Sequence, residues 1–280
     1  MELLLNKDHL KYYNQDLYAK AEISVLFDTI SSSEKDEFKK IFDIKNELLE
    51  KDPHNIVLHN GLNFFLYQLP QSELKKAAKE KHALIINKIN TANKDIAQIA
   101  AKKIKKGSTV FVHSLNNQIY EILIHAAANN SFIINLVEHA PFSFGIFMSE
   151  RLKEHNVKTR LFSDLAIKEA AMQADSCFIG GEVIIHGSGA IAKTGSYLAA
   201  EISKKHQIPL YVCAHSLKYD VKNRVANMLE HEYCHDKHDV RKVYEFLPKD
   251  LINAYVCEYG VFKPEHISDE IRFHNSWMFI

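Results

Sequence analysis

The chain has 280 residues, with 35 basic and 35 acidic side chains and 16 histidines counted neutral. That length accommodates one or two domains with a sizeable core, and the zero balance speaks against the strong field of a nucleic-acid binder. Nearly all the positive charge is lysine; only Arg151, Arg160, Arg224, Arg241 and Arg272 could form bidentate phosphate clamps.

The opening "MELLLNKDHLKYY" has too short an apolar core for a signal peptide, and no apolar run is long enough to span a bilayer. Cys177, Cys213, Cys234 and Cys257 form no CxxC pair. The expectation is a cytoplasmic protein with reduced thiols and no cofactor or metal.

Residues 1–105 read as a helical N-terminal domain. "SEKDEFKKIFDIKNELLEKD" sets apolar residues at helical spacing between charges, with Ser33, Glu34 and Asp36 forming a helix start. "QSELKKAAKEKHALIINKINTANKDIAQIAAKKI" is a longer helical pattern, and the more apolar "NIVLHNGLNFFLYQLP" lies between the two.

Residues 106–280 read as a Rossmann-like α/β domain. Buried strands "GSTVFVHS", "SFIINLVE", "VKTRLFSD", "DSCFIGG" and "PLYVCAHS" alternate with helical segments across short joints. This alternation predicts a parallel, doubly wound sheet, and right-handed crossovers favour the strand order 3-2-1-4-5. "YVCEYGVF" would add a sixth strand.

In such a sheet, ligands bind beyond the carboxyl ends of the strands. There the sequence places His113 and Ser114, then Glu138 and His139, Asp164, Glu182 after two glycines, and His215, Ser216 and Lys218. Glu182 could shuttle a proton if burial raised its pKa, or serve as an ion-pair partner. Ser114 offers a hydroxyl, but adjacent His113 points to the opposite face of a strand and makes a poor base for a serine nucleophile.

"HGSGAIAKTG" is neither GxGxxG nor a nucleoside-triphosphate phosphate loop. Gly187 and Gly189 permit a tight turn, and Lys193 reads as the start of the next helix. A lysine is electrostatically misplaced there unless an anion lies nearby. The alternative is a surface turn with a solvated lysine.

A separate signal is "HEYCHDKH". On a helix His231 and His235 would share a face and could hold zinc, with Glu232 as base and His238 as a further ligand. With histidine so frequent in the chain, the competing reading is a solvated charged helix.

"IGGEVIIHGSGAIAKTGSYLAAEISKKHQIPLYVCAHSLKYD" resembles the signature region of the alpha, beta and delta subunits of eukaryotic translation initiation factor 2B. That fold family includes ribose-1,5-bisphosphate isomerase and methylthioribose-1-phosphate isomerase. The family's Gly-Ala-Asp/Glu corresponds to Gly180-Gly181-Glu182. Its Asn-Lys-Ile-Gly corresponds to Ala192-Lys193-Thr194-Gly195, and its Pro-Phe-Tyr-Val strand to Pro209 through Lys218. "VHSLNN", "VEHAP" and "YEFLPKDLINAYVCEYGVFKPEHI" resemble further family segments, so the likeness covers residues 108–267.

The resemblance implies a helical N-terminal domain, association through the C-terminal domain as a homodimer or larger oligomer, protein partners, and a phosphorylated small-molecule ligand. It gives catalytic positions at Ser114 and Glu182 and ligand contacts from Gly187, Gly189, Lys193, His215 and Lys218. The departures are specific. The isomerases carry a cysteine where this chain has Ser114 and an aspartate where it has Glu182, and their ligand-gripping asparagine is Ala192 here. Serine cannot supply an easily ionised thiol. The resemblance therefore favours a regulatory, sugar-phosphate- or nucleotide-binding protein without the usual isomerase chemistry. An aldose–ketose isomerase using Glu182 and a zinc hydrolase using the HExxH segment are the alternatives.

Overall fold

The structure is a computed structural model describing residues 14–32, 38–113, 116–140, 142–230, 232–234 and 240–280. The chain divides into two compact units, residues 1–91 with 272–280, and residues 92–271. The division falls inside a long helix.

The first unit is helical. Helix α1 (Gln15–Ser32) buries Gln15, Ala19, Ile23, Leu26 and Ile30, a single stripe at intervals of three and four residues. Helix α2 (Phe38–Lys51) follows, then α3 (Ile56–Leu66), whose first turn is capped by Asn55 accepting from Leu58 N at 3.0 Å. Seven of the eleven α3 residues are buried and none is exposed, which accounts for its weak periodicity: a helix largely covered needs little polar face. Helix α4 (Leu74–Ala101) carries the chain into the second unit.

The second unit begins with β1 (Thr109–His113), α5 (Asn117–Ala127), β2 (Ile133–Val137), α6 (Phe144–Lys153), β3 (Lys158–Phe162), α7 (Ile167–Met172) and β4 (Ser176–Gly180). Next come β5 (Val183–Ile185), β6 (Gly189–Lys193), α8 (Ser196–Lys205), β7 (Leu210–Cys213) and β8 (Tyr219–Asp220). Then come β9 (Glu232–Cys234), β10 (Val240–Lys242), β11 (Tyr244–Pro248), β12 (Ala254–Cys257) and β13 (Gly260–Phe262), and α9 (Ile267–His274) crosses back into the first unit at Arg272.

The main sheet has the order β13-β12-β7-β4-β1-β2-β3. Its parallel β3-β2-β1-β4-β7 portion reproduces the expected order, and β12 adds the sixth parallel strand. Strand β13 returns antiparallel at the edge. The central strands β1 and β4 are buried along almost their whole length, as a sheet covered on both faces requires. Cys177, Cys213 and Cys257 are buried free thiols in this core, and burial pushes the Cys177 and Cys257 thiols up to about 12.

Two local expectations are corrected. The segment after Glu182 is a hairpin, and β5 and β6 join a second, four-stranded sheet ordered β11-β6-β5-β8. Lys193 therefore ends a strand and does not start a helix; α8 begins at Ser196. Among the described residues the HEYCH segment is not helical: Glu232–Cys234 is a strand paired antiparallel with β10. His231, His235 and His238 lie outside the described residues, as does Ser114. No helix among the described residues is long and apolar enough to cross a membrane.

Candidate functional site

Glu182 lies between β4 and β5, one residue past Gly181, so it sits where the chain leaves the main sheet for the smaller one. Its backbone N–H donates to Ile191 O at 2.9 Å, which fixes it beside β6. The carboxylate is buried and meets two ammonium groups, Lys193 Nζ at 3.7 Å from Oε1 and Lys218 Nζ at 3.8 Å from Oε2. Asn116 Nδ2 lies 3.4 Å from Oε1, at the outer limit of a hydrogen bond.

Each partner is positioned by local backbone demands. Asn116 caps α5, its side-chain oxygen accepting from Gln118 N at 2.9 Å. That leaves its amide to face Glu182. A side chain at Gly180 would strike the Asn116 side chain at about 2.5 Å, so a glycine is needed for this approach. Lys218 lies in the turn after β7 and donates to Gly181 O at 3.1 Å. Lys193 ends β6 opposite Tyr244 of β11, and its ammonium stands 4.3 Å from the Tyr244 ring centroid.

The Lys193 pKa is lowered to about 8, chiefly by desolvation; Lys218 acts in the same direction and Glu182 opposes it. A lysine in this range can exchange a proton near neutrality.

Two histidines complete the buried layer. The rings of His113, at the end of β1, and His139, just after β2, have centroids 4.8 Å apart. Burial lowers the His113 pKa to about 4. It lowers His139 as well, with His113 and Lys193 adding to the effect. Both rings are therefore neutral at pH 7. His139 adopts a left-handed φ of 59°. Asp164 holds that turn, accepting from His139 N and Ala140 N, each at 2.7 Å. His113 Nδ1 lies 3.2 Å from Ser196 Oγ. Gly195 has φ 98°, and a side chain there would meet His113 Nε2 at about 2.5 Å.

Of the residues picked from sequence, the fold brings Glu182, Lys193 and Lys218 together. His215 is wholly buried in the turn that carries Lys218. Gly187 and Gly189 are elsewhere: Gly187 is exposed at the tip of the β5–β6 hairpin, and Gly189 begins β6, at the far end from Lys193. Asn116 was not picked out from sequence, although an asparagine before an amphipathic helix is a recognisable cap. His139 was read only as a strand end, and nothing in the sequence pairs it with His113.

The arrangement gathers two ammonium groups around one buried carboxylate, with a lysine whose pKa is lowered to about 8 among them. Among the described residues no cluster of histidine, cysteine, aspartate and glutamate side chains is arranged to hold a metal ion.

Known proteins share this fold. The chain is similar to translation initiation factor eIF2B subunit alpha of Dictyostelium discoideum, with 25% identity over 213 residues, covering 69% of this chain and 66% of that one. It is also similar to ribose 1,5-bisphosphate isomerase of Archaeoglobus fulgidus, with 24% identity over 237 residues, covering 78% and 74%. Among solved structures, a chain of the tetrameric eIF2B-beta2-delta2 complex of C. thermophilum superposes with a TM-score of 0.75 at 17% identity, over 91% of this chain and 88% of that one. The model of the initiation factor 2 subunit family matches residues 18–264, and the chain belongs to that family.

Proposed function

We propose that this chain is an initiation-factor-2B-like regulatory protein that binds a phosphorylated small molecule, a sugar phosphate or a nucleotide, at the Glu182 cluster. One observation carries the reading: two ammonium groups, Lys193 and Lys218, converge on a single buried carboxylate at the carboxyl ends of the strands. An entering phosphate would meet two ammonium donors there, with the neutral imidazoles of His113 and His139 nearby. In parallel sheets this edge is the customary ligand position. The replacement of the isomerases' cysteine by Ser114 favours binding without turnover.

The second reading is an aldose–ketose isomerase. The likeness to ribose 1,5-bisphosphate isomerase and the position of Glu182 beside a lysine lowered to about 8 favour it. Glu182 would carry a proton between neighbouring carbons while Lys193 held the developing oxyanion.

Calorimetry with pentose phosphates, hexose phosphates and nucleoside monophosphates tests both readings. Binding that weakens in Lys193→Ala without turnover supports the regulatory reading. Turnover that stops in Glu182→Gln, with folding verified by circular dichroism, supports the enzyme. No binding by any of these compounds refutes both. The family relationship also leads us to propose self-association of the second unit and protein partners. Sedimentation showing monomer alone at micromolar concentration would count against self-association.

A further inference from the structure

The opposite edge of the main sheet carries a second concentration of positive charge. Helix α4 ends at Ala101, and the following loop turns into β1 through Lys103, Lys105 and Lys106. These three lysines line a cavity of about 480 Å³ whose remaining wall includes Asp175, Pro209 and Tyr211, at the amino ends of β4 and β7. The volume lies in the range of small-molecule sites. The strands separate it from the Glu182 cluster by five residues, roughly 16 Å at the rise of a β-strand.

The charge around this cavity is unbalanced. None of the three lysines forms an ion pair among the described residues. The one acidic group in the wall, Asp175, already accepts from Thr109 N at 2.8 Å and so is turned to the backbone of β1. The Gly107 and Ser108 backbone donors are already used, since Gly107 N donates to Ser131 O and Ser108 N to Lys105 O. The three ammonium groups supply the positive charge an anion would meet here. The other side of the cavity differs in character. Tyr211 is half-buried, backed by Phe178 with ring centroids 5.1 Å apart, and stands two residues beyond Pro209. A supported aromatic ring presents a flat face suited to stacking a planar ligand.

We propose that this amino-edge cavity is a second ligand site, distinct from the Glu182 cluster, that takes a nucleoside phosphate with its phosphate among Lys103, Lys105 and Lys106 and its base against Tyr211. The pairing of cationic and aromatic walls selects this class over a bare sugar phosphate, which has no planar ring. Binding weakens as salt rises, because the three ammonium groups are exposed.

Calorimetric titration of the full-length protein with adenosine 5′-monophosphate, read together with hydrogen exchange, tests the site. Expected results are saturable binding, protection of residues 103–108, and a loss of about tenfold or more in affinity for the Lys103→Ala, Lys105→Ala, Lys106→Ala triple variant. Lys193→Ala should retain protection at 103–108, which separates this site from the strand-end one. Tyr211→Leu should weaken adenosine monophosphate more than inorganic phosphate. The triple variant alters only exposed side chains, so its fold is secure. The proposal is overturned by absence of saturable binding, by unchanged affinity in the triple variant, or by protection confined to residues 182–195.

Discussion

Lys193 Nζ stands 3.7 Å from Glu182 Oε1, and the two side chains are only 2% and 3% exposed. Lys218 approaches the other carboxylate oxygen at 3.8 Å, so the two lysines are not equivalent to the glutamate. Removing Glu182 leaves two buried ammonium groups facing each other, whereas removing Lys193 leaves one matched pair. Glu182→Gln should therefore cost roughly 3–5 kcal/mol of stability, and Lys193→Met distinctly less. Urea unfolding of both variants decides this, and the reverse order would refute the assignment.

His113 gives the protein an acid limit. Its pKa falls from 6.5 in the unfolded chain to about 4 in the fold. A lowered folded pKa means that the unfolded state binds the proton more tightly. The contribution is thus complete above pH 6.5 and disappears as pH falls through about 4, and its size is roughly 3 kcal/mol. Unfolding free energies measured between pH 7.5 and 4 should show this slope. A slope unchanged in His113→Asn would show that other groups produce it.

Lys193 acts in the alkaline range with its own sign. Its folded pKa of about 8 lies below the ordinary 10.5. Between these values the unfolded chain holds the proton and the fold does not, so the lysine's contribution rises with pH across that window. The difference in stability between wild type and Lys193→Met should change from pH 7.5 to pH 10. A constant difference contradicts a lowered lysine.

Gly195→Ala should destabilise by roughly 1–3 kcal/mol. The position has φ 98°, and the added methyl meets the His113 ring. Thermal unfolding checks the cost, and the pH slope assigned to His113 should shift with it. A neutral substitution would mean that the loop can rearrange freely.

The HEYCH segment should not carry stoichiometric zinc. A strand at Glu232–Cys234 removes the shared helical face that the i, i+4 spacing requires. Metal analysis of protein purified without added metal should give well under one zinc per chain. A value near one, lost in His235→Ala, would restore the metal reading.

The main sheet was legible in sequence because β1, β2 and β3 are short strand-like runs each leading into a helix, and right-handed crossovers then restrict the order. The second sheet was not. Strand β5 has three residues, β6 is buried throughout and shows no alternation, and its partner β11 begins about fifty residues later. A glycine-rich stretch with no period of two reads as a turn. That reading places Lys193 at the start of a helix, whereas it ends β6. The charged residues themselves were visible, because lysine and glutamate beside strand ends are conspicuous. The neutral groups were missed: Asn116 acts through a cap, and His139 through a contact between loops distant in sequence.

The chain passes from the large sheet to the small one after β4 and again after β7, and Glu182 and Lys218 stand at those two crossings. The cluster is thus a weld as well as a candidate binding site. Substitutions in the cluster act on the same charges that join the two sheets. They should carry a stability cost, and compensating substitutions are expected along β6 and β11.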